Sequence, residues 1–212
     1  MKIISPRLPK ILQDNDDLRA ALLQYKEEIE EQSFKNQMID HVVEDQLAFQ
    51  SCSFSHCTFR ECDFKKARFC DVEFKNCDLS NIKLQDSGFS RVTFTDCKLM
   101  GTNLTGCTLS QVTFNQCSAP YILLSTGKIR NVNFIKNDFR GCAFDSCRLE
   151  HVALDTCNFA EADFSQTLLK YVDLSSSEIT GIRLNSNDLR GAIVNSLQAV
   201  ELSKLLGIVI KE

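Results

Sequence analysis

The sequence predicts an all-β solenoid with four sides. Three observations carry that prediction: a bulky apolar residue every five positions, a small residue two places before each of them, and a further repeat at twenty. The chain has 212 residues, enough for one domain or one domain with appendages. Hydrophobic residues make up 43% and charged residues 25%, as in an ordinary soluble globular protein. No stretch approaches the ~18 apolar residues of a membrane-spanning helix, and Met1–Lys10 lacks the apolar core of a signal peptide. With a net charge of −4 there is no basic field for binding nucleic acid directly.

The period of five starts at Phe49 and runs without a slip to Val194, through Phe54, Phe59, Phe64, Phe69 and onward. Ala119 is the one position in it that is not Phe, Leu, Ile or Val, and 14 of the 15 Phe residues lie in it. Neither a helical period of 3.6 nor a strand period of 2 accounts for such a series. Two residues before each centre stands a second series that holds ten of the 11 Cys, all but Cys70, with six Val and several Ala, Thr and Ser. Residues two apart in extended chain point to the same side, so a large and a small residue alternate into one narrow core. Read every twenty residues, the small series gives a column Val72, Val92, Val112, Val132, Val152, Val172. Another runs Cys57, Cys77, Cys97, Cys117, Cys157, broken by Asn137. Four units therefore make one turn, and layers ~4.8 Å apart give a rod of roughly 36 Å.

Many centres are preceded by Asp or Asn, as in Ala162-Asp163-Phe164-Ser165-Gln166 and Thr102-Asn103-Leu104-Thr105-Gly106. Units of this kind resemble the pentapeptide-repeat family, and the resemblance implies a right-handed quadrilateral β-helix over residues 49–194. Departures fall at Ala119-Pro120, which loses the bulky centre, and at Asn137 and Asn187, which put amides where small residues belong. There the coil distorts or the amides bond to backbone.

The open ends of a stacked coil need caps. Residues 1–48 are expected to be an N-terminal helical cap. Leu18, Ala21, Leu22, Tyr25 and Ile29 follow helical spacing, with Asp14 or Asp16 as the cap residue. The segment carries six basic and ten acidic residues, and Glu27, Glu28, Glu30 and Glu31 would lie on the exposed face of the helix. A cap packed on the first coil is the simple reading; a partner-binding arm is the other. Residues 195–212 read as a helix begun by Asn195 and Gln198, a stop at Gly207 and a short strand Ile208-Val209-Ile210. This tail resembles that of the Qnr and MfpA branch of the family, which implies a head-to-head homodimer through Leu202, Leu205, Leu206, Ile208 and Ile210.

The residues offer no catalytic constellation. Cys on the period of five is a small core hydrophobe, there is no Cys-x-x-Cys pair, and no Cys and His stand together at ligand spacing. Free buried thiols in a reducing cytoplasm, with no disulfide, metal or cofactor, are expected. His41, His56 and His151 are scattered without a nucleophile beside them. Thr126-Gly127-Lys128 lacks the earlier glycine of a phosphate loop. The chain is read as a non-enzyme.

Function is then expected on the surface. Residues 99–144 hold four basic groups and one acidic, whereas residues 145–194 hold four basic and eight acidic. Asp155 and Asp173 stack on one face, and Glu161 and Glu178 on the next, without a base among those units. In a head-to-head dimer the four acids would be doubled into an acidic saddle. The Qnr and MfpA resemblance implies a DNA mimic that binds DNA gyrase, or topoisomerase IV, inhibiting it or protecting it from quinolones. The unbroken period resembles Gram-positive Qnr-like proteins rather than members with inserted loops. The alternative is a generic protein-interaction scaffold with an unrelated partner.

Overall fold

The computed structural model describes residues 2–24 and 28–209. Its strands are β1 (Gln13–Asp14), β2 (Ile29–Glu30), β3 (Gln32–Lys35), β4 (Met38–Asp40), β5 (Ala48–Gln50), β6 (Ser53–Ser55) and β7 (Thr58–Arg60), followed by five eight-residue strands. These are β8 (Arg68–Lys75), β9 (Gly88–Thr95), β10 (Thr108–Asn115), β11 (Lys128–Ile135) and β12 (Arg148–Asp155). Helix α1 spans Leu18–Gln24 and α2 spans Ser196–Ser203.

Every strand pairing is parallel, and from β2 onward its register is twenty residues, as in Phe74↔Phe94, Phe94↔Phe114 and Phe114↔Phe134. The chain is a four-sided β-solenoid. Its first face is centred on Phe49, Phe69, Phe89, Leu109, Ile129 and Leu149, and its second on Phe54, Phe74, Phe94, Phe114, Phe134 and Leu154. Across β8–β12 the chain runs extended through both faces and turns the corner between them on a residue with left-handed backbone, such as Asp71 (φ 55) or Asn131 (φ 52). The third and fourth faces are tight turns joined by single bridges, for example Asp138↔Asn158 and Ala143↔Asp163.

Large and small series both fill the core. Phe34, Phe54, Phe74, Phe94, Phe114 and Phe134 form one continuous stack with ring centroids 4.7–5.2 Å apart. Ten cysteines are buried and Cys70 is half-buried, all as free thiols. In the cysteine column each thiol donates to a carbonyl of the preceding turn, as Cys97 Sγ does to Phe74 O at 3.5 Å. Asn137, buried in that column, satisfies both ends of its amide: Oδ1 accepts from Cys117 N–H at 2.8 Å and Nδ2 donates to Phe114 O at 3.0 Å. Asn187 differs, being exposed, while neighbouring Asp188 turns in and accepts from the Gln166 and Asn185 amides.

The coil begins one turn earlier than the sequence period suggests. Ile29, Phe34 and Ile39 are buried centres paired with Phe49, Phe54 and Phe59, so residues 29–48 belong to the solenoid and not to a helical cap. The period is hidden there because Glu44 takes one centre and long glutamines take the small positions. Those glutamines serve the coil mouth: Gln37 Nε2 donates to Asn15 O, Gln37 Oε1 accepts from Leu18 N–H, and Gln32 Oε1 accepts from Asn15 Nδ2. Helix α1 is correspondingly short and closes the mouth with buried Leu18, Ala21 and Leu22. Its cap is Asp17, whose Oδ1 accepts from Ala20 N–H at 2.8 Å; Asp14 lies in β1 and meets Lys35. Ile29 is in a strand, and Tyr25–Glu27 fall outside the described residues.

At the other end Asn195 and Gln198 form a reciprocal capping box, and Gly207 (φ 70) ends the helical segment. Gln198 Nε2 also donates to Leu174 O and Ser177 O, fastening α2 over the last turns. Ile208 and Val209 form no strand, and Ile210 lies outside the described residues.

Candidate partner-binding surface

The four acids singled out in the sequence stand at the surface, on two faces that share one corner. Asp155 and Asp173 lie on the second face, Glu161 and Glu178 on the third, and all four side chains are exposed. Asp173 accepts from the Ser175 amide at 2.9 Å and hydroxyl at 2.6 Å, which holds its carboxyl below the usual carboxylate range. Glu178 is lowered likewise by the hydroxyl and amide of Thr180. Asp155 accepts from Thr156 Oγ1 at 2.8 Å. The shared corner holds a shallow groove of about 560 Å³, lined among others by Lys136, Asp138, Ser176 and Asn195; of the four acids only Glu178 lines it. The acids thus form an open flank and not a pocket.

The tail residues divide. Leu202 is buried on the end of the coil, beside Leu189, Ala192 and Val194, so it caps its own chain instead of facing a second copy. Leu205, Leu206 and Ile208 are exposed, together with Leu197, Val200 and Val209.

A basic face accompanies the acidic flank and escapes a charge count made by thirds of the rod. From residue 127 onward the first face presents Lys128, Arg130, Arg148, Lys170 and Arg190, all exposed. Its acids are Glu150, drawn to Arg130 at 3.6 Å, and the buried Asp188. Sorting residues 127–131, 147–151, 167–171 and 187–191 onto one face exposes this pattern in the sequence. Charge is therefore ordered around the axis as well as along it.

Along the corner between the first and second faces the N-terminal arm lies against the rod. Ile4 N–H donates to Gln111 Oε1, Arg7 N–H donates to Asp71 Oδ1, and Ser51 Oγ donates to Arg7 O. Asp71 is buried and gripped by Arg91 through two bonds of 2.6 Å. Burial opposes its ionisation, but the Arg91 fork and the Arg7 amide prevail and hold its pKa below the ordinary value. Arg91 is raised in turn by the same contact. Among the described residues there is no group of three His, Cys, Asp or Glu able to hold a metal ion, and no helix long and apolar enough to cross a membrane.

Parallel turns of twenty residues around a core of Phe, Leu and Cys, with left-handed corners, define a β-solenoid built of five-residue units. The family model described as pentapeptide repeat region matches residues 67–138 and 126–193, and the chain belongs to that family. No curated protein matches the sequence. Among solved structures, trypsin-treated QnrB1, a plasmid-mediated fluoroquinolone resistance protein, is 20% identical with a TM-score of 0.48, covering 85% of this chain and 90% of its own. Full-length QnrB1 is 20% identical with a TM-score of 0.39, covering 92% and 95%. HetL, a pentapeptide repeat protein involved in heterocyst differentiation regulation in Nostoc sp. strain PCC 7120, is 16% identical with a TM-score of 0.32, covering 84% and 95%.

Proposed function

We propose that the chain is a non-enzymatic binding protein of the cytoplasm whose acidic flank stands in for duplex DNA on a type II topoisomerase, DNA gyrase or topoisomerase IV. It thereby inhibits the enzyme or protects it from quinolones. The observation that carries the proposal is the exposed flank of Asp155, Asp173, Glu161 and Glu178 on two adjoining faces, with hydrogen bonds that favour the ionised forms of Asp173 and Glu178. A basic DNA-binding groove would be drawn to such a flank electrostatically. The resemblance of the repeat and tail to the Qnr and MfpA branch supplies the partner. Leu205, Leu206 and Ile208, exposed at the C-terminal end, with Ile210 beyond the described residues, are the proposed contacts of a homodimer that would double the flank. No cofactor, metal or direct nucleic-acid contact enters this role.

The test is supercoiling by purified gyrase with added protein, with and without a fluoroquinolone. Inhibition at micromolar protein, or rescue from the drug, is expected. The quadruple variant Asp155→Asn, Glu161→Gln, Asp173→Asn, Glu178→Gln should lose the effect while melting normally. Unchanged activity in that variant would remove the acidic flank from the mechanism.

A further inference from the structure

One belt of the rod carries no charge. From Leu99 to Gly127, more than a full turn of twenty residues, the chain has no Asp, Glu, Lys, Arg or His. Three large apolar side chains of this belt stand exposed: Met100 (47%), Tyr121 (62%) and Leu123 (36%). All three fall around a single corner, between the third and fourth faces, with half-buried Pro120 among them. The N-terminal arm reaches the belt at Gln111, on the opposite corner, and leaves this one open.

The register of the coil gathers these residues. Met100 and Pro120 hold the same place on the third face in successive turns, where Gly101 N–H donates to Pro120 O at 3.0 Å. Tyr121 takes the corner with left-handed backbone (φ 59), and Leu123 opens the fourth face. The ring of Tyr121 lies against Gly141 one turn above, where a Cβ would come within 2.7 Å of its Cε1. Glycine there gives the ring a seat, and a side chain already seated loses less freedom on binding. An exposed apolar patch with a polar rim marks a contact with another protein, and the core of such contacts is poor in charge and rich in Tyr and Met.

The patch continues into the acidic flank. Two turns above Tyr121, about 10 Å along the axis, the same corner carries Glu161. The column of Met100 and Pro120 leads on through Arg140 and Ala160 to Thr180, which bonds Glu178. In the turn between, Arg140 holds Asp138 through bonds of 2.9 and 2.8 Å, so that pair adds no net charge.

We propose that this corner is the apolar anchor by which the chain holds the same topoisomerase, seating Tyr121 and Leu123 in an uncharged hollow beside the enzyme's DNA-binding groove. The proposal rests on the topoisomerase reading above. Continuity along the third face places both surfaces under one partner, and the lack of charge sets the chemistry of the contact. Nucleic-acid phosphates find no cation in the belt, whereas a hydrophobic protein surface buries no charge there. The two surfaces divide the work. Exposed acids act at long range and set the association rate, while the buried contacts of an anchor set the dissociation rate.

The experiment measures association and dissociation of the full chain on immobilised purified gyrase, at low and at moderate salt. Tyr121→Ser with Leu123→Ser should raise the dissociation rate about tenfold or more and leave the association rate and melting temperature unchanged. Tyr121→Phe, which keeps the ring, should dissociate like the parent chain. Neutralising Asp155, Glu161, Asp173 and Glu178 should instead slow association and flatten its salt dependence. Leu168→Ser with Tyr171→Ser, apolar residues at least as exposed but away from the third face, should change neither rate. Binding by the parent chain with an unaltered dissociation rate in the Tyr121 and Leu123 variant would overturn the anchor alone. So would an equal rise in the Leu168 and Tyr171 variant. Absence of binding by the parent chain would overturn the topoisomerase reading, and the anchor with it.

Discussion

The continuous phenylalanine stack makes Phe94→Ala the sharpest test of how the rod is held together. Phe94 is 2% exposed and lies between Phe74 and Phe114, with centroids 5.0 and 4.7 Å away and ring planes within 6° of parallel. Removing a buried ring costs about 3–5 kcal/mol through lost burial and the cavity left behind. Loss of two stacked neighbours, each pair worth about 0.5–1.5 kcal/mol, places this site in the upper half of that range. Phe34, at the end of the stack with Phe54 as its one stacked partner, should lose about 1 kcal/mol less on the same substitution. Phe94→Leu, which stays apolar but is smaller and gives up both stacked rings, should lose less than the alanine variant, about 1–3 kcal/mol. Urea unfolding of the three variants, followed by circular dichroism, gives the comparison. Solenoids need not unfold in one step, so amide exchange in the turns on either side should show where protection is lost. A loss below about 1.5 kcal/mol for Phe94→Ala, or equal losses at Phe94 and Phe34, would refute the stack as the source of stability.

Other outcomes follow from polar and titratable groups in the wall and core. Asn137→Ala should destabilise by about 1–3 kcal/mol because it strips the bonds to Cys117 N–H and Phe114 O. Asn137→Cys, which restores the column, should cost less, and thermal melting separates the two. Burial pushes the Cys107 and Cys147 thiols up to about 12 from 9.0. The folded state therefore keeps protons that the unfolded chain releases, so stability should be intact below pH 9 and decline as pH rises toward 12; a flat melting temperature across that range would contradict this. Iodoacetamide at neutral pH should label Cys70 first and leave the ten buried thiols of the native protein unreacted, as mass spectrometry would show. Asp71 is depressed below 3.8, so its contribution is present above that pH and is lost as pH falls through the folded value. Arg91→Met should flatten this acid limb of the melting curve.

The solenoid was legible because its core is a strict one-dimensional pattern: a centre every five residues, a small residue two before it, and columns at twenty. Where that pattern is interrupted chemically, the reading failed while the geometry continued. Phe34, the one Phe outside the series counted from Phe49, is the first ring of the stack, and Gln32 and Gln37 concealed its turn because they reach out of the mouth to hold residues 15–18. Helical spacing held for Leu18, Ala21 and Leu22, which lie on α1 and plug the mouth, and misled only at Ile29, which is a coil centre. The acids could be placed on faces from sequence, because face follows from register; the basic first face was equally readable there but needs sorting around the axis. The end of the extended strands at β12 could not be read, since Leu169 and Leu174 keep the period of Leu149 and Leu154 while the backbone goes from extended strand to tight turns.

The proposed role is tested most directly by binding of the full chain to purified gyrase in competition with duplex DNA. Saturable binding that DNA displaces, and that the variant neutral at Asp155, Glu161, Asp173 and Glu178 loses, is the predicted result. Binding undiminished by excess DNA or by that variant, or no binding at all, would contradict DNA mimicry and leave the rod to a different partner.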